Sequence, residues 1–203
     1  MIFDKINNYR LLLASKSQRR IDLFKQTGLD FTVVDINADE SFPQDLHASE
    51  VPLHICQKKS HAYDTSKLND NDILVTADTV VVLGDSILNK PHDETEAKKM
   101  LSILSDKSHK VYTGVCIRNN KFQSVFVEET TVTFGNLSEG DIDYYVKNYK
   151  PFDKAGAYGI QEWIGLIGVE RIEGCYYNIV GFPMHTFCKH LIKFIEKDIK
   201  NEQ

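Results

Sequence analysis

The stretch at residues 11–20, LLLASKSQRR, constrains the local fold most directly. Its four apolar residues, 11–14, are typical of a short buried strand. Beyond Ser15 and Ser17, apolar residues return at helical spacing, and Gly28 stands where a helix would end. The stretch therefore predicts a strand that runs directly into a helix.

Two adjacent arginines, Arg19 and Arg20, fall in the first turn of that predicted helix. A helix N-terminus carries partial positive charge, so cations are unfavourable there unless an anion is bound. Backbone N–H groups, serine hydroxyls and guanidinium groups together can form a phosphate cradle. The alternative is that both arginines are solvated or paired with a nearby acid such as Asp22.

Length and charge narrow the class of protein. A chain of 203 residues suffices for one large α/β domain or two small ones, and 42% hydrophobic and 26% charged residues are ordinary for a globular protein. The formal net charge of −5 argues against a general nucleic-acid binder but leaves room for a local basic pocket. We expect no membrane association, because no apolar run approaches the length of a membrane span.

The N-terminus and the cysteines indicate a cytoplasmic protein. The opening residues, MIFDKINNYR, contain an acidic residue, Asp4, and lack the long apolar core of a secretory signal. The cysteines are widely separated and predict reduced, mostly buried thiols, although an even number also permits two disulfides. They are Cys56, Cys116, Cys175 and Cys188.

The rest of the chain alternates between strand and helix patterns. Strands are predicted at residues 31–36, 72–88 with a turn at 84–85, 110–134 as a hairpin, and 163–181. Helices are predicted at residues 51–66, 92–106, 138–150 and 183–200, and residues 37–50 form a polar loop.

Asp78 interrupts the apolar run of the predicted strand at 72–88. A carboxylate there is costly unless it is hydrogen-bonded, paired or bound to a metal. We favour a functional role over a structural cap at the strand end. Asp39 and Glu40 form an acidic pair in the polar loop, where solvation alone would explain them.

Three lysines and one glutamine complete the polar candidates. Lys58 and Lys59 are expected on the polar, solvated side of the helix at 51–66. Lys90 precedes a proline in an extended or turn conformation, which suits a phosphate contact or an exposed loop. The small residues of 155–161 allow close approach of a ligand or another backbone, and Gln161 could read a nucleobase edge or pair within a turn.

Seven motifs in order resemble the Maf family of nucleotide pyrophosphatases. They are LLLASKSQRR, DE at 39–40, KKSHA at 58–62, TADTVV at 76–81, NKP at 89–91, SHKVYTGV at 108–115 and FDKAGAYGIQ at 152–161. The resemblance extends from about residue 11 to residue 183. It implies an α/β fold with a long, curved mixed sheet flanked by helices and a central cleft, related to the inosine-triphosphate pyrophosphatases.

The resemblance also implies an activity and its residues. The implied reaction is hydrolysis of a nucleoside triphosphate to the monophosphate and pyrophosphate. A single domain, residues 1–203, would carry it out, and this domain could consist of two lobes around a cleft. By analogy, we expect a homodimer. The implied catalytic residue is Asp78, which matches the family's proton acceptor. The implied substrate-binding residues are Ser15, Arg19, Arg20, Lys59, Thr79, Lys90 and Gln161, with Arg19, Thr79 and Gln161 linked to substrate choice. Glu40 and Asp78 could hold a divalent metal, Mg²⁺ or Mn²⁺.

The AYGIQ sequence resembles the branch that acts on dTTP and UTP rather than the branch that acts on 7-methyl-GTP. Two residues depart from the family pattern: Gln18 replaces a usual proline, and Trp163 stands where small residues are common. Both departures affect the expected substrate preference. Two alternatives stay open: a nucleotide-binding regulator of septum formation with little turnover, and a housecleaning pyrophosphatase for modified nucleotides.

Overall fold

The computed structural model describes residues 6–201, with the side chain of residue 201 left out. Its strands are β1 (Arg10–Ala14), β2 (Phe31–Val33), β3 (Asp72–Leu83), β4 (Ser86–Leu88), β5 (Ser108–Arg118), β6 (Gln123–Phe134) and β7 (Val169–Glu173). The helices are α1 (Gln18–Gln26), α2 (Val51–Ala62), α3 (Glu94–Leu104), α4 (Glu139–Tyr149), α5 (Trp163–Gly168), α6 (Tyr176–Val180) and α7 (Met184–Asn201). Short 3₁₀ turns lie at Thr65–Lys67 and Ala155–Ala157.

The strands form a mixed seven-stranded sheet flanked by helices, which confirms the predicted α/β class. The strand order is β2-β1-β3-β5-β6-β7, and β4 pairs with β3. β1 runs parallel to both β2 and β3, whereas β4 and β7 pair in antiparallel fashion with β3 and β6. Among residues 6–201, we find no helix with the length and apolar character that a membrane crossing requires.

The chain divides into two compact units. The first comprises residues up to 78, residues 113–128 and residues from 181 onward, and the second comprises residues 79–112 and 129–180. The strands β3, β5 and β6 each contribute residues to both units.

The core of the first unit explains why β1 is a continuous apolar run. Leu11 and Leu13 are fully buried, and the alternate residues Leu12 and Ala14 belong to a separate cluster with Leu74. Since successive side chains of a strand point to opposite faces, β1 is covered on both faces. Elsewhere in this core the ring of Phe24 contacts Phe31, Phe182 and Phe187 at centroid distances of 4.9–5.3 Å.

Gly114 permits a close contact between β5 and the start of α2. A Cβ atom at this position would lie 2.4 Å from the carbonyl carbon and oxygen of Pro52. Those atoms belong to backbone, so a side chain could enter only if the helix moved away from the strand.

The second unit contains a buried imidazole. His109 is 2% exposed, its Nε2 lies 2.8 Å from the hydroxyl of Tyr158, and its ring contacts Phe134. Its Nδ1 has no hydrogen-bond partner among the described residues. Burial lowers the pKa of His109 from 6.5 to about 4. His109 is therefore neutral at physiological pH and resists protonation.

Two sequence expectations need correction. The strand predicted at 31–36 ends at Val33, although Val34 and Ile36 still pack against the small cluster that contains Leu12. The strand predicted at 163–181 is wrong for most of its length, because α5 and α6 flank the short strand β7. Short apolar runs do not distinguish a strand from a buried helical turn, so the pattern alone could not identify these helices.

We predict that Gly114→Ala destabilises the protein by about 2 kcal/mol or more, since overpacking against backbone is relieved only by displacement. Chemical denaturation measures the loss, and the control is Gly140→Ala, because a Cβ at Gly140 would lie 3.8 Å from the hydroxyl of Ser138, an ordinary contact distance. A loss at Gly114 no larger than at Gly140 would contradict the close contact.

We also predict a pH-dependent loss of stability that originates at His109. Its folded pKa lies below its unfolded value, so the stabilising contribution is complete above pH 6.5 and is lost as the pH falls toward 4. The contribution is at most about 3 kcal/mol for this shift. Urea denaturation between pH 7 and 4 should give a shallower pH dependence for His109→Gln than for the native protein, and equal slopes would exclude His109 as the cause.

Candidate functional site

The register between β1 and β3 brings two polar segments close together. Ala14, the last residue of β1, pairs with Thr76 in the parallel strand β3, which continues to Leu83. Ser15 and Asp78 follow these two residues in strands that run in the same direction, so they are close in space. The motif around the arginines and the motif around Asp78 therefore meet in the first unit.

The guanidinium group of Arg20 connects these segments. Its Nη1 donates to the hydroxyl of Ser15 at 3.1 Å and to the carbonyl of Ala77 at 3.2 Å. Its Nε and Nη2 both donate to the carbonyl of Gly181, at 3.0 and 2.9 Å. Arg20 is 8% exposed, and its guanidinium group donates most of its hydrogen bonds to other parts of the protein.

Burial lowers the pKa of Arg20 to about 10, and the neighbouring charges act in both directions. The carboxylates of Asp78 and Glu40 raise this pKa, and the adjacent guanidinium of Arg19 lowers it. Arg20 is consequently still a cation at neutral pH. Arg20 therefore lies in the electrostatic field of both acids.

Helix α1 begins at Gln18, so Arg19 and Arg20 lie in its first turn as predicted. Ser17 is the N-cap, and its hydroxyl accepts from the backbone N–H of Arg20 at 3.5 Å. Gln18, which replaces the family's usual proline, hydrogen-bonds Asp22 one turn later. Asp22 therefore accepts a hydrogen bond from Gln18, at 2.7 Å.

The centre of the site is the ammonium group of Lys59. Its Nζ lies 2.8 Å from Oδ1 of Asp78 and 2.9 Å from Oε1 of Glu40. The Asp78 side chain is 15% exposed and the Glu40 side chain is 56% exposed, so the first is sheltered and the second faces solvent. The three groups join the loop 37–50, helix α2 and strand β3.

The expectation that Lys59 lies on a solvated helix face was wrong. The side chain is only 17% exposed, and Ile55, one turn earlier on α2, is buried. Residues four apart lie on the same helix face, so Lys59 borders the buried stripe. The hydroxyl of Thr76 donates to the carbonyl of Cys56 at 2.6 Å, which fixes the helix against the strand that carries Asp78.

Lys58 has a separate role that the sequence analysis did not identify. Its Nζ donates to the Asp39 carboxylate at 2.8 Å and to the carbonyl and hydroxyl of Ser41 at 2.8 and 3.2 Å. This contact lowers the pKa of Asp39. Asp39 and Ser41 flank Glu40, so Lys58 anchors the loop on both sides of the residue that reaches Lys59.

The two carboxylates suit a hard divalent cation. The oxygens of Asp78 and Glu40 already share one cationic group, the Lys59 ammonium. Mg²⁺ is commonly held by one or two carboxylates plus substrate phosphates, so this pair has the right donor chemistry. Residues 6–201 contain no cluster of three or more His, Cys, Asp or Glu side chains suited to a metal, and a complete protein cage is not what Mg²⁺ requires.

The other predicted residues belong to the second unit. Thr79 follows Asp78 in β3 and is half-buried, whereas Lys90 and Gln161 are exposed. The carbonyl of Asn89 accepts from the N–H of Gly156 at 3.3 Å, which links the segment before Lys90 to the segment before Gln161. In the first unit, the structure thus brings Ser15 into contact with Arg20 and brings Glu40 and Asp78 into contact with Lys59. Arg20 also reaches the carbonyl of Ala77, the residue before Asp78. The roles of all the candidate residues stay predictions.

A protein-family model described as "Maf-like protein" matches residues 10–194. The chain belongs to the Maf family. The match begins at β1 and extends into α7, so it covers both units and every residue of the candidate site.

Curated relatives are similar over nearly their whole length. A protein of Phocaeicola vulgatus named dTTP/UTP pyrophosphatase is 42% identical over 193 residues, which is 95% of this chain and 100% of the relative. Proteins with the same name from Bacteroides thetaiotaomicron and Flavobacterium psychrophilum are each 44% identical, over 93% and 95% of this chain and 97% and 98% of their own.

A solved structure, that of the Staphylococcus aureus Ham1 protein, is similar with a TM-score of 0.46 and 14% sequence identity. The match covers 62% of this chain and 71% of that one. Similarity at this level supports no inference about function.

We predict that Lys58→Met loosens residues 37–50 in this Maf family member while leaving the rest of the fold intact. Exposed ion pairs contribute only about 0.2–1 kcal/mol, so global stability should change little. Amide hydrogen exchange around Glu40 should accelerate in Lys58→Met. The control is Lys16→Met, which removes the exposed Lys16–Asp35 pair, and equal exchange around Glu40 in both variants would exclude anchoring by Lys58.

Proposed function

We propose that this Maf family member hydrolyses nucleoside triphosphates to the monophosphate and pyrophosphate, with dTTP and UTP as its preferred substrates. The observation that supports this most directly is the Asp78–Lys59–Glu40 group beside the buried Arg20. Two carboxylates and a cluster of cations match what phosphate-anhydride hydrolysis needs. The shared name of relatives at 42–44% identity supports the choice of nucleotide.

In the proposed reaction, water attacks the α-phosphorus, the bond to the bridging oxygen breaks, and pyrophosphate leaves. Asp78 orients this water and accepts its proton, as a sheltered carboxylate within β3 can. Lys59 holds that carboxylate in place and adds positive charge near the phosphates. Preorganised charge of this kind is often the largest contribution to lowering such a barrier.

We assign phosphate binding and base recognition to the arginines and to the candidate residues of the second unit. Arg19 and Lys90 contact phosphate oxygens, and Arg20 adds positive charge while its hydrogen bonds hold Ser15 and the backbone of β3 at Ala77. Thr79 and Gln161 read the base, since a glutamine amide both donates and accepts hydrogen bonds.

Mg²⁺, or Mn²⁺ in its place, would be held by Asp78 and Glu40. When bound, the cation supplies charge neutralisation on the phosphate oxygens. We include in the proposal a single domain spanning residues 1–203, a homodimer and a cytoplasmic location without nucleic-acid binding. The free thiols of all the cysteines, at positions 56, 116, 175 and 188, support a reducing compartment.

We predict that Asp78→Asn lowers kcat about 10³-fold, because general-base catalysis commonly contributes 10²- to 10⁴-fold. Phosphate release would be measured in the presence of added inorganic pyrophosphatase, with circular dichroism as the check on folding. Asp85→Asn, in the exposed turn between β3 and β4, is the matched control and should retain full activity. Full activity of Asp78→Asn would remove this residue from the mechanism.

The same assay over a panel of nucleotides tests the function itself. We expect dTTP and UTP to be turned over faster than dCTP, ATP, GTP and base-modified nucleotides. Binding without turnover of any nucleotide would favour a regulator, and a preference for modified bases would favour a housecleaning enzyme.

A further inference from the structure

The segment that carries Gln161 is closed by an ion pair of a buried lysine in the second unit. The Lys154 side chain is 9% exposed, and its Nζ lies 3.1 Å from Oε1 of Glu162 and 2.7 Å from Oδ1 of Asp153. Lys154 and Glu162 are the two ends of the segment 154–162. Burying an ammonium group is costly unless it is paired, so this contact fixes the two ends together.

A tyrosine from helix α4 completes the network. The Tyr145 side chain is fully buried, and its hydroxyl donates to Oε2 of Glu162 and accepts from the N–H of Gly159 at 3.0 Å. Burial raises the pKa of Tyr145, so the hydroxyl keeps the proton that it donates. Gly159 and Glu162 lie on either side of Gln161 in sequence, and one hydroxyl group holds both.

The backbone within the segment is held in an unfavourable conformation. Gly156 and Ala157 have φ angles of +69° and +58°, and Ala157 is completely buried. A left-handed conformation at a residue with a Cβ persists only when its surroundings enforce it. Here Gly156 is packed so tightly that an added Cβ would lie 3.0 Å from the side chain of Val81.

We propose that Tyr145, Lys154 and Glu162 form a clamp that positions Gln161 for base selection. The clamp residues are positioning residues, since they act through Gln161, which is exposed while its neighbours are anchored. A preorganised amide loses less conformational entropy when it binds a base edge, and it discriminates more strongly against the wrong base. This inference rests on the proposed function and concerns its substrate choice, the preference for dTTP and UTP.

The experiment compares Tyr145→Phe with the native protein. The matched control is Tyr149→Phe, a partly exposed tyrosine on the same helix whose ring stacks on Tyr145. Loss of the hydroxyl leaves Glu162 and the N–H of Gly159 without this partner. We expect KM for dTTP and UTP to rise about tenfold, kcat to stay within about twofold and the preference over ATP to fall about as much as KM rises, as expected when one buried hydrogen bond is lost.

A second pair of variants separates positioning from general stability. Lys154→Arg keeps the cation and should retain the native preference, whereas Lys154→Met should lose it as Tyr145→Phe does. Trp163, the sole tryptophan, lies two residues from Gln161 with its ring 4.8 Å from Tyr144, so its fluorescence gives a binding readout independent of turnover. Titration with α,β-imido-dUTP should show about tenfold weaker binding in Tyr145→Phe and native affinity in Tyr149→Phe.

The outcomes distinguish this inference from the proposed function. Failure of the native protein to hydrolyse any nucleotide would overturn the proposed function, while the fluorescence titration would still test the clamp. Native preference and native affinity in Tyr145→Phe would overturn the clamp. A fall in kcat with unchanged KM, or unfolding of both Tyr145→Phe and Lys154→Met, would assign the network to catalysis or to folding and would equally overturn it.

Discussion

The candidate site depends on the parallel pairing of β1 with β3. The register of Leu13 with Val75 and of Ala14 with Thr76 sets the point at which β1 ends beside β3, which continues to Leu83. A shift of one residue would turn every side chain of β1 to the opposite face. Ser15 and Asp78 are neighbours because this register is fixed.

Cations placed away from water organise the site and its surroundings. Arg20, Lys59 and Lys154 are each largely buried, and each is held by backbone carbonyls, a hydroxyl or carboxylates. Breaking such a contact leaves a charge without compensation, which costs far more than breaking an exposed pair. These contacts therefore fix the positions of the segments that they connect. Lys58, which anchors the more exposed loop around Glu40, makes a weaker contact of the same kind.

Much of the fold could be predicted because local rules and tertiary packing agree there. The capping box of Ser138 with Asp141 begins α4 as expected, and the apolar face of α3 is buried at Ala97, Met100, Leu101 and Leu104. The helices α5 and α6 could not be predicted. Their apolar runs are too short for a helical period to emerge, and contacts across the chain decide their conformation.

The sequence by itself determined the strand-to-helix transition before Arg19 and Arg20, the cost of a carboxylate at Asp78 and the set of motifs that resembles one family. These depend on local spacing and residue chemistry, which the chain carries without its fold. The resemblance already favoured Lys59 over Lys58, but the tertiary structure alone decided that the Lys59 ammonium group contacts Asp78 and Glu40, and that Tyr145 meets Glu162. Those pairings join residues up to 19 positions apart, so they exist only once packing has set the direction of each side chain.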